Sequence, residues 1–150
     1  MNSFQSLMSG AVGASILTAA HEALRHARPQ DAPRMDILGE RAINKGMEMV
    51  GQDPLREDKL YLPTLAGDLL SNAAYYSLVG AGDEGNIWLR GAALGAAAGL
   101  GALVLPGPMG LGEAPSKRTP QTAMMTVGLY MLGGLAAAAT ASLFIKESEL

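Results

Sequence analysis

The chain has 150 residues, a formal net charge of −3 at pH 7 and no cysteine. This length allows one domain without a separate catalytic module, the lack of cysteine excludes disulfides and sulfur-ligated zinc, and the negative charge argues against a nucleic-acid partner. Hydrophobic residues make up 49% of the chain, and most charged residues are concentrated between Arg25 and Lys59. The segments outside this stretch lack the charged face that soluble helices present to water.

The sequence predicts an all-α fold, a polytopic membrane bundle of about four transmembrane helices in a single domain. Four apolar stretches lie at residues 4–23, 61–81, 87–105 and 122–145. As helices they would measure about 29 to 36 Å, enough to cross a hydrocarbon core of about 30 Å. The first stretch has no preceding Lys or Arg, unlike a cleaved signal peptide, so we expect it to be retained. A soluble bundle is the alternative, but its helices would be shorter and would carry a polar stripe.

Residues 35–50 predict an amphipathic helix between the first two spans. Asp36, Glu40 and Lys45 fall on one side and apolar residues on the other, so this helix is too charged to cross a bilayer. A helix of this kind, tethered between two spans, is expected to lie in the membrane interface. A partner-binding helix within a loop is the alternative.

Proline and glycine mark the expected ends of the spans. Pro63 is predicted to lie in the first turn of the second span, where its missing N–H has no cost. The glycine-rich residues 80–85 predict a short turn between the second and third spans. Residues 106–120 predict a longer loop that ends where Pro120 opens the fourth span, with Thr119 as its N-cap.

The positions of the cationic residues predict the orientation. Loops one and three together contain nine Lys and Arg residues, whereas only Arg90 and Lys146 are left for the opposite side. By the positive-inside rule, loops one and three face the cytoplasm and both termini lie on the opposite side. The expected location is the bacterial inner membrane.

Small residues predict how the helices pack. Gly91, Gly95 and Gly99 repeat every four residues in the third span, a glycine zipper that allows close backbone approach. We expect this ridge to join helices of one chain, and the alternative is an interface with a second copy or a membrane partner protein. The first span repeats the pattern with Ser6, Gly10, Ala14 and Thr18.

A candidate polar pocket combines residues of the first two spans. Asp68, Asn72 and Tyr75 share one face of the second span. A carboxylate at such a depth costs about 2.5 to 3.5 kcal/mol when it faces lipid, so Asp68 is expected to point into the bundle. There it serves either a functional site or a structural hydrogen-bond network. Because the first two spans are antiparallel, His21 and Glu22 reach a similar depth, and the five residues predict a cytoplasm-facing pocket.

Two other patterns bear on chemistry. His21 and His26 are five positions apart, so the zinc-protease spacing HExxH is absent, and we expect no metal and no cofactor. Lys117 and Arg118 follow a glycine-rich run, which is typical of an anion or lipid-headgroup contact. A positive-inside anchor explains the same two cations without a ligand.

These features leave three classes of function open. A non-catalytic bundle in contact with membrane lipids, acting in assembly or in ligand binding, needs nothing beyond the observed features, so we favour it. The alternative is a membrane enzyme or transporter that acts on a lipid phosphate or small ligand through Asp68 and the Lys117/Arg118 loop. The sequence alone leaves catalysis undecided.

Overall fold

A computed structural model describes residues 1–148 of the chain, and within this range the protein is helical with no strand. Short 3-10 turns at Ser77–Gly80 and Glu84–Asn86 separate the third and fourth helices. The prediction of an all-α fold is therefore confirmed. The helices are α1 (Ser3–Ala27), α2 (Met35–Met49), α3 (Glu57–Tyr76), α4 (Ile87–Val104), α5 (Ala114–Lys117) and α6 (Pro120–Ser148).

Two segments of the described range are long and apolar enough to cross a membrane. They are Glu84–Val104, which contains α4, and Pro120–Glu147 in α6, with mean hydropathies of 1.5 and 1.6. The other two long helices, α1 and α3, contain more polar residues and fall outside this set. Because the core of a soluble protein can also contain two such helices, the four-span bundle remains a prediction.

The helix that contains the second apolar stretch begins earlier than predicted. It starts at Glu57, so the prediction that Pro63 lies in its first turn is wrong, and Pro63 is inside α3. The first turn instead carries Glu57 and Asp58, and carboxylates are stabilised there by the helix dipole. The helix therefore begins before the apolar stretch.

The boundary of α6 agrees with the sequence. Pro120 is the first residue of the helix, and Thr119 Oγ1 accepts a hydrogen bond from the Thr122 N–H at 3.1 Å. The Thr119 cap thus satisfies one of the backbone donors that every helix start leaves open.

The central contacts join α6 to α1 and α4, while α3 packs mainly on α1. All three predicted glycines of α4 face α6 so closely that no side chain fits between the backbones. A Cβ would lie 2.5 Å from Gly134 O at Gly91, 2.5 Å from Met131 Cα at Gly95, and 2.7 Å from Val127 Cα at Gly99. The ridge is therefore used within the chain, in the contact between α4 and α6.

The connections sort into two ends of the bundle. At one end, the Arg34 N–H donates to Pro115 O at 2.8 Å and Arg41 donates to Leu111 O at 2.7 Å, so loops one and three lie together. At the other end, the N-terminal ammonium pairs with Glu84 at 3.0 Å. Loops one and three, which carry most of the cationic residues, thus lie at the same end of the bundle, together with α2.

Candidate functional site

A cavity of about 890 Å³ lies between α1, α3 and α4, with α2 and the loop after α4 covering one end. This volume falls in the range of pockets that hold small organic ligands, about 300 to 1,000 Å³. Gly67, Ser71 and Ala97 line the cavity and are exposed, so it is open on its side between α3 and α4. It is a lateral cleft with one covered end.

All five residues of the predicted polar pocket line this cavity: His21, Glu22, Asp68, Asn72 and Tyr75. They meet because α1 and α3 run antiparallel in close contact. A Cβ on Gly10 of α1 would lie only 2.1 Å from Ala73 O of α3, so the backbones are nearly touching at that level. Two to three turns beyond Gly10 on α1, the longer side chains of Thr18, His21 and Glu22 face the cleft.

Asp68 is the acidic centre of the cleft. Thr18 Oγ1 donates to its Oδ2 at 3.1 Å, and Asn72 Nδ2 donates to its Oδ1 at 2.9 Å. The residue is half-buried, and it forms no salt bridge within the part of the chain that the structure describes. The carboxylate is therefore positioned by neutral donors and has no cationic partner.

His21 lies on the same side of α1 as Thr18. Its Nδ1 is 3.1 Å from Leu17 O, and its ring meets the Tyr130 ring edge-on, with the centroids 5.8 Å apart. Because a carbonyl oxygen can only accept, this contact puts the proton on Nδ1. Nε2 and Thr64 Oγ1 are buried in the cavity wall and have no hydrogen-bond partner among the described residues.

The outer end of the cavity carries an ionic cluster. Arg25 donates to both oxygens of Glu22 at 2.7 and 2.6 Å and to Asp36 at 2.9 Å. Arg34 also binds Asp36, with a shortest distance of 2.7 Å. Burial raises the pKa of Asp36, but the hydrogen bonds and charges of Arg34 and Arg25 outweigh this and hold the pKa below its ordinary value of 3.8. This cluster attaches the start of α2 to the end of α1.

Tyr75 closes the cavity at its inner end. Its hydroxyl donates to Leu94 O at 2.8 Å, which links α3 to α4 above the cleft. The tyrosine thus has a positioning role in addition to facing the cavity. The facing wall is apolar and consists of small residues of α4 together with the leucine that directly follows the helix: Ala97, Ala98, Gly101, Ala102 and Leu105.

The two predicted headgroup residues lie apart from this cavity. Lys117 pairs with Glu113 at 3.1 Å, and Arg118 donates to Gln30 O and, at 2.9 Å, to Ala32 O. Neither residue lines the cavity. Arg118 thus ties loop three to loop one, Lys117 is paired within loop three, and the structure does not bring either cation to Asp68.

Sequence reasoning missed three residues of the site. In the sequence, Thr18 stands out only as one of the small residues of α1, although in the structure it binds Asp68. Tyr130 and Thr64 carried no signal, because only the tertiary packing brings them to the cavity wall. Within residues 1–148 no group of three or more His, Asp or Glu residues is arranged to hold a metal ion.

Comparison with known proteins adds no further assignment. The chain matches no protein-family model, no curated protein and no solved structure.

Proposed function

We propose that the protein is an integral membrane bundle of four spanning helices that binds a small amphiphile in its lateral cavity, without catalysis. The cavity carries this proposal. It joins a hydrogen-bonded carboxylate at Asp68 to an apolar wall from α4, and it is open between α3 and α4. A ligand with a polar head and an apolar body complements both parts.

The outward surfaces support four spans. Large apolar side chains are exposed on each of the four long helices, where a soluble protein would have charged residues. With 25 and 20 residues, α1 and α3 have lengths of about 38 and 30 Å, sufficient to cross a bilayer. The exposed side chains include Phe4, Leu7, Val12 and Ile16 of α1, Leu62 and Leu70 of α3, Leu89 and Leu100 of α4, and Met124, Leu132 and Leu143 of α6.

The charge distribution supports a cytoplasmic location for the covered end of the cavity. Nine Lys and Arg residues belong to loops one and three, which contact each other beside α2, and two belong to the opposite end. In this orientation α2 lies at the cytoplasmic interface, as expected for an amphipathic helix between two spans. The open side of the cavity then faces the hydrocarbon, so an amphiphile enters from the bilayer.

Ligand binding is favoured over the other classes by two observations. The glycine ridge of α4 is occupied by α6, which removes the surface most suited to a partner helix. Lys117 and Arg118 are paired elsewhere, so an enzyme acting on a lipid phosphate would lack these cations in the cavity. Ligand binding in the cavity requires neither a partner protein nor a catalytic group.

The proposal is tested by filling the cavity. Gly67 lines its open side, and a Cβ there meets nothing within 4 Å, so Gly67→Phe places a ring at the opening without a backbone clash. Gly128→Phe is a matched control, since Gly128 also has free space but lies outside the cavity.

Native mass spectrometry of the purified protein should show a retained small amphiphile on the wild-type chain and on Gly128→Phe, and its loss on Gly67→Phe. Retention that is equal in all three proteins, or absent from the wild type, contradicts the proposal.

A further inference from the structure

The cavity has a marked excess of negative charge. Among the described residues, its lining contains four carboxylates, one guanidinium and no lysine, a formal charge of −3 with His21 counted as neutral. The charged lining residues are Glu22, Arg25, Asp36, Glu40 and Asp68. An anionic ligand would be repelled by this lining.

The arginines near the cavity already form ion pairs at its outer end. Arg25 is bound to Glu22 and Asp36, and Arg34 is bound to Asp36. Thr18, which holds Asp68, lies seven residues before Arg25 on α1, about 10 Å along the helix axis. The two arginines therefore pair with Glu22 and Asp36, while neither Glu40 nor Asp68 forms an ion pair among the described residues.

Asp68 has the capacity for a cationic partner. An ionised carboxylate offers about four acceptor sites, and Thr18 and Asn72 occupy two of them. Both donors are neutral, so they orient the group without compensating its charge. A carboxylate in a largely apolar cavity is stabilised best by a cation that also donates hydrogen bonds.

The remaining walls fit an apolar body attached to that cation. The small residues of α4 that line the cavity, Ala97, Ala98, Gly101 and Ala102, leave a smooth surface for an alkyl chain or ring. Tyr75 and Tyr130 line the same cavity, and aromatic rings attract ammonium groups through their faces. The site thus combines a carboxylate in the middle of the cleft with an apolar wall.

We propose that the ligand of this cavity is an amphipathic amine, whose protonated nitrogen pairs with Asp68 and whose apolar body lies against α4. This inference rests on the proposed function and specifies its ligand class. The amine belongs either to a free single-chain amphiphile or to the headgroup of an amine-bearing lipid.

The test compares three ligands that have the same chain and differ in charge: octylammonium, octan-1-ol and octanoate. The protein is reconstituted in phosphatidylcholine nanodiscs, and binding is measured by equilibrium dialysis with empty discs subtracted. We expect octylammonium to bind roughly tenfold or more tightly than the other two, because only it can pair with the cavity carboxylate. Equal binding of all three overturns the inference, while binding of none overturns the proposed function itself.

Variants of Asp68 test whether the preference for octylammonium depends on its carboxylate. Asp68→Asn should reduce octylammonium binding to the level of octan-1-ol, whereas Asp68→Glu should keep the preference because it keeps the charge. Asp53→Asn is the matched control, since Asp53 is exposed and lies outside the cavity. Circular dichroism verifies that each variant is folded. A folded Asp68→Asn protein that still prefers octylammonium overturns the inference.

A final experiment distinguishes a free amine amphiphile from the headgroup of an amine-bearing lipid. Phosphatidylethanolamine is added to the discs at increasing fractions. Loss of octylammonium binding assigns the amine to a lipid headgroup, and undiminished binding assigns it to a free amphiphile; both results support the amine class.

Discussion

The contact between α4 and α6 depends on the absence of side chains at the glycine ridge, and Gly95→Ala tests this directly. A Cβ at Gly95 would lie 2.5 Å from Met131 Cα and 2.6 Å from Tyr130 O. Carbon atoms in contact are about 3.5 to 4.0 Å apart, so the two backbones would have to separate by roughly 1 Å. Overpacking of this kind costs about 1 to 3 kcal/mol.

A matched glycine separates this cost from helix propensity. A Cβ at Gly128 of α6 would meet nothing within 4 Å, so Gly128→Ala adds a methyl group without a clash. Both substitutions gain the propensity of alanine over glycine, about 1 kcal/mol, and this gain cancels in the comparison. Gly95→Ala should therefore be less stable than Gly128→Ala by about 1 to 3 kcal/mol.

The assay is unfolding in mixed micelles of a mild detergent and SDS, followed by circular dichroism. Gly95→Ala is expected to unfold at a lower SDS fraction than the wild type, and Gly128→Ala at the same or a higher one. If the two alanine variants unfold together, α4 and α6 do not approach each other as described.

Two further predictions concern the ends of the bundle and its core. Because the pKa of Asp36 is lowered, its contribution to stability is complete above 3.8 and is lost as the pH falls through the lower folded value. The protection of α2 amides against hydrogen exchange, corrected for the intrinsic pH dependence of exchange, should therefore fall below about pH 4 in the wild type but show no such step in Asp36→Asn. Tyr76→Phe should lower the unfolding free energy by about 0.5 to 1.5 kcal/mol, because Tyr76 is fully buried and its hydroxyl donates to Tyr130 O at 2.7 Å. Tyr61→Phe, at a tyrosine that is 66% exposed, should change the stability little, and equal effects would contradict the buried bond.

The long helices were largely predictable because apolar content and helix-ending residues are local properties. Thr119 and Pro120 mark the start of α6 in the sequence and in the structure alike. Pro63 was misleading, because a proline inside a helix removes one backbone hydrogen bond but does not prevent an earlier start. The acidic turn at Glu57 supplied that start, and it lies outside the apolar pattern from which the span was inferred.

The site was predictable where its residues share one helix. Asp68, Asn72 and Tyr75 fall on one face by helical periodicity alone, and all three line the cavity. The bond from Thr18 to Asp68 depends instead on the register between α1 and α3, which tertiary packing sets at Gly10. The positions of Lys117 and Arg118 depend on a loop whose path no periodicity describes.

The number of spans is the claim on which the function rests, and single-cysteine labelling tests it most directly. The natural chain has no cysteine, so Gln52→Cys, Gly85→Cys and Ala114→Cys each give one reporter at an exposed position in a connecting segment. A membrane-impermeant maleimide is applied to intact cells and to inverted vesicles.

With four spans, the cysteines at Gln52 and Ala114 react on the cytoplasmic side and the cysteine at Gly85 reacts on the opposite side. If only α4 and α6 cross the membrane, Gln52 and Gly85 share one side and Ala114 lies on the other. That second pattern would contradict the four-span bundle and the lateral entry of its ligand.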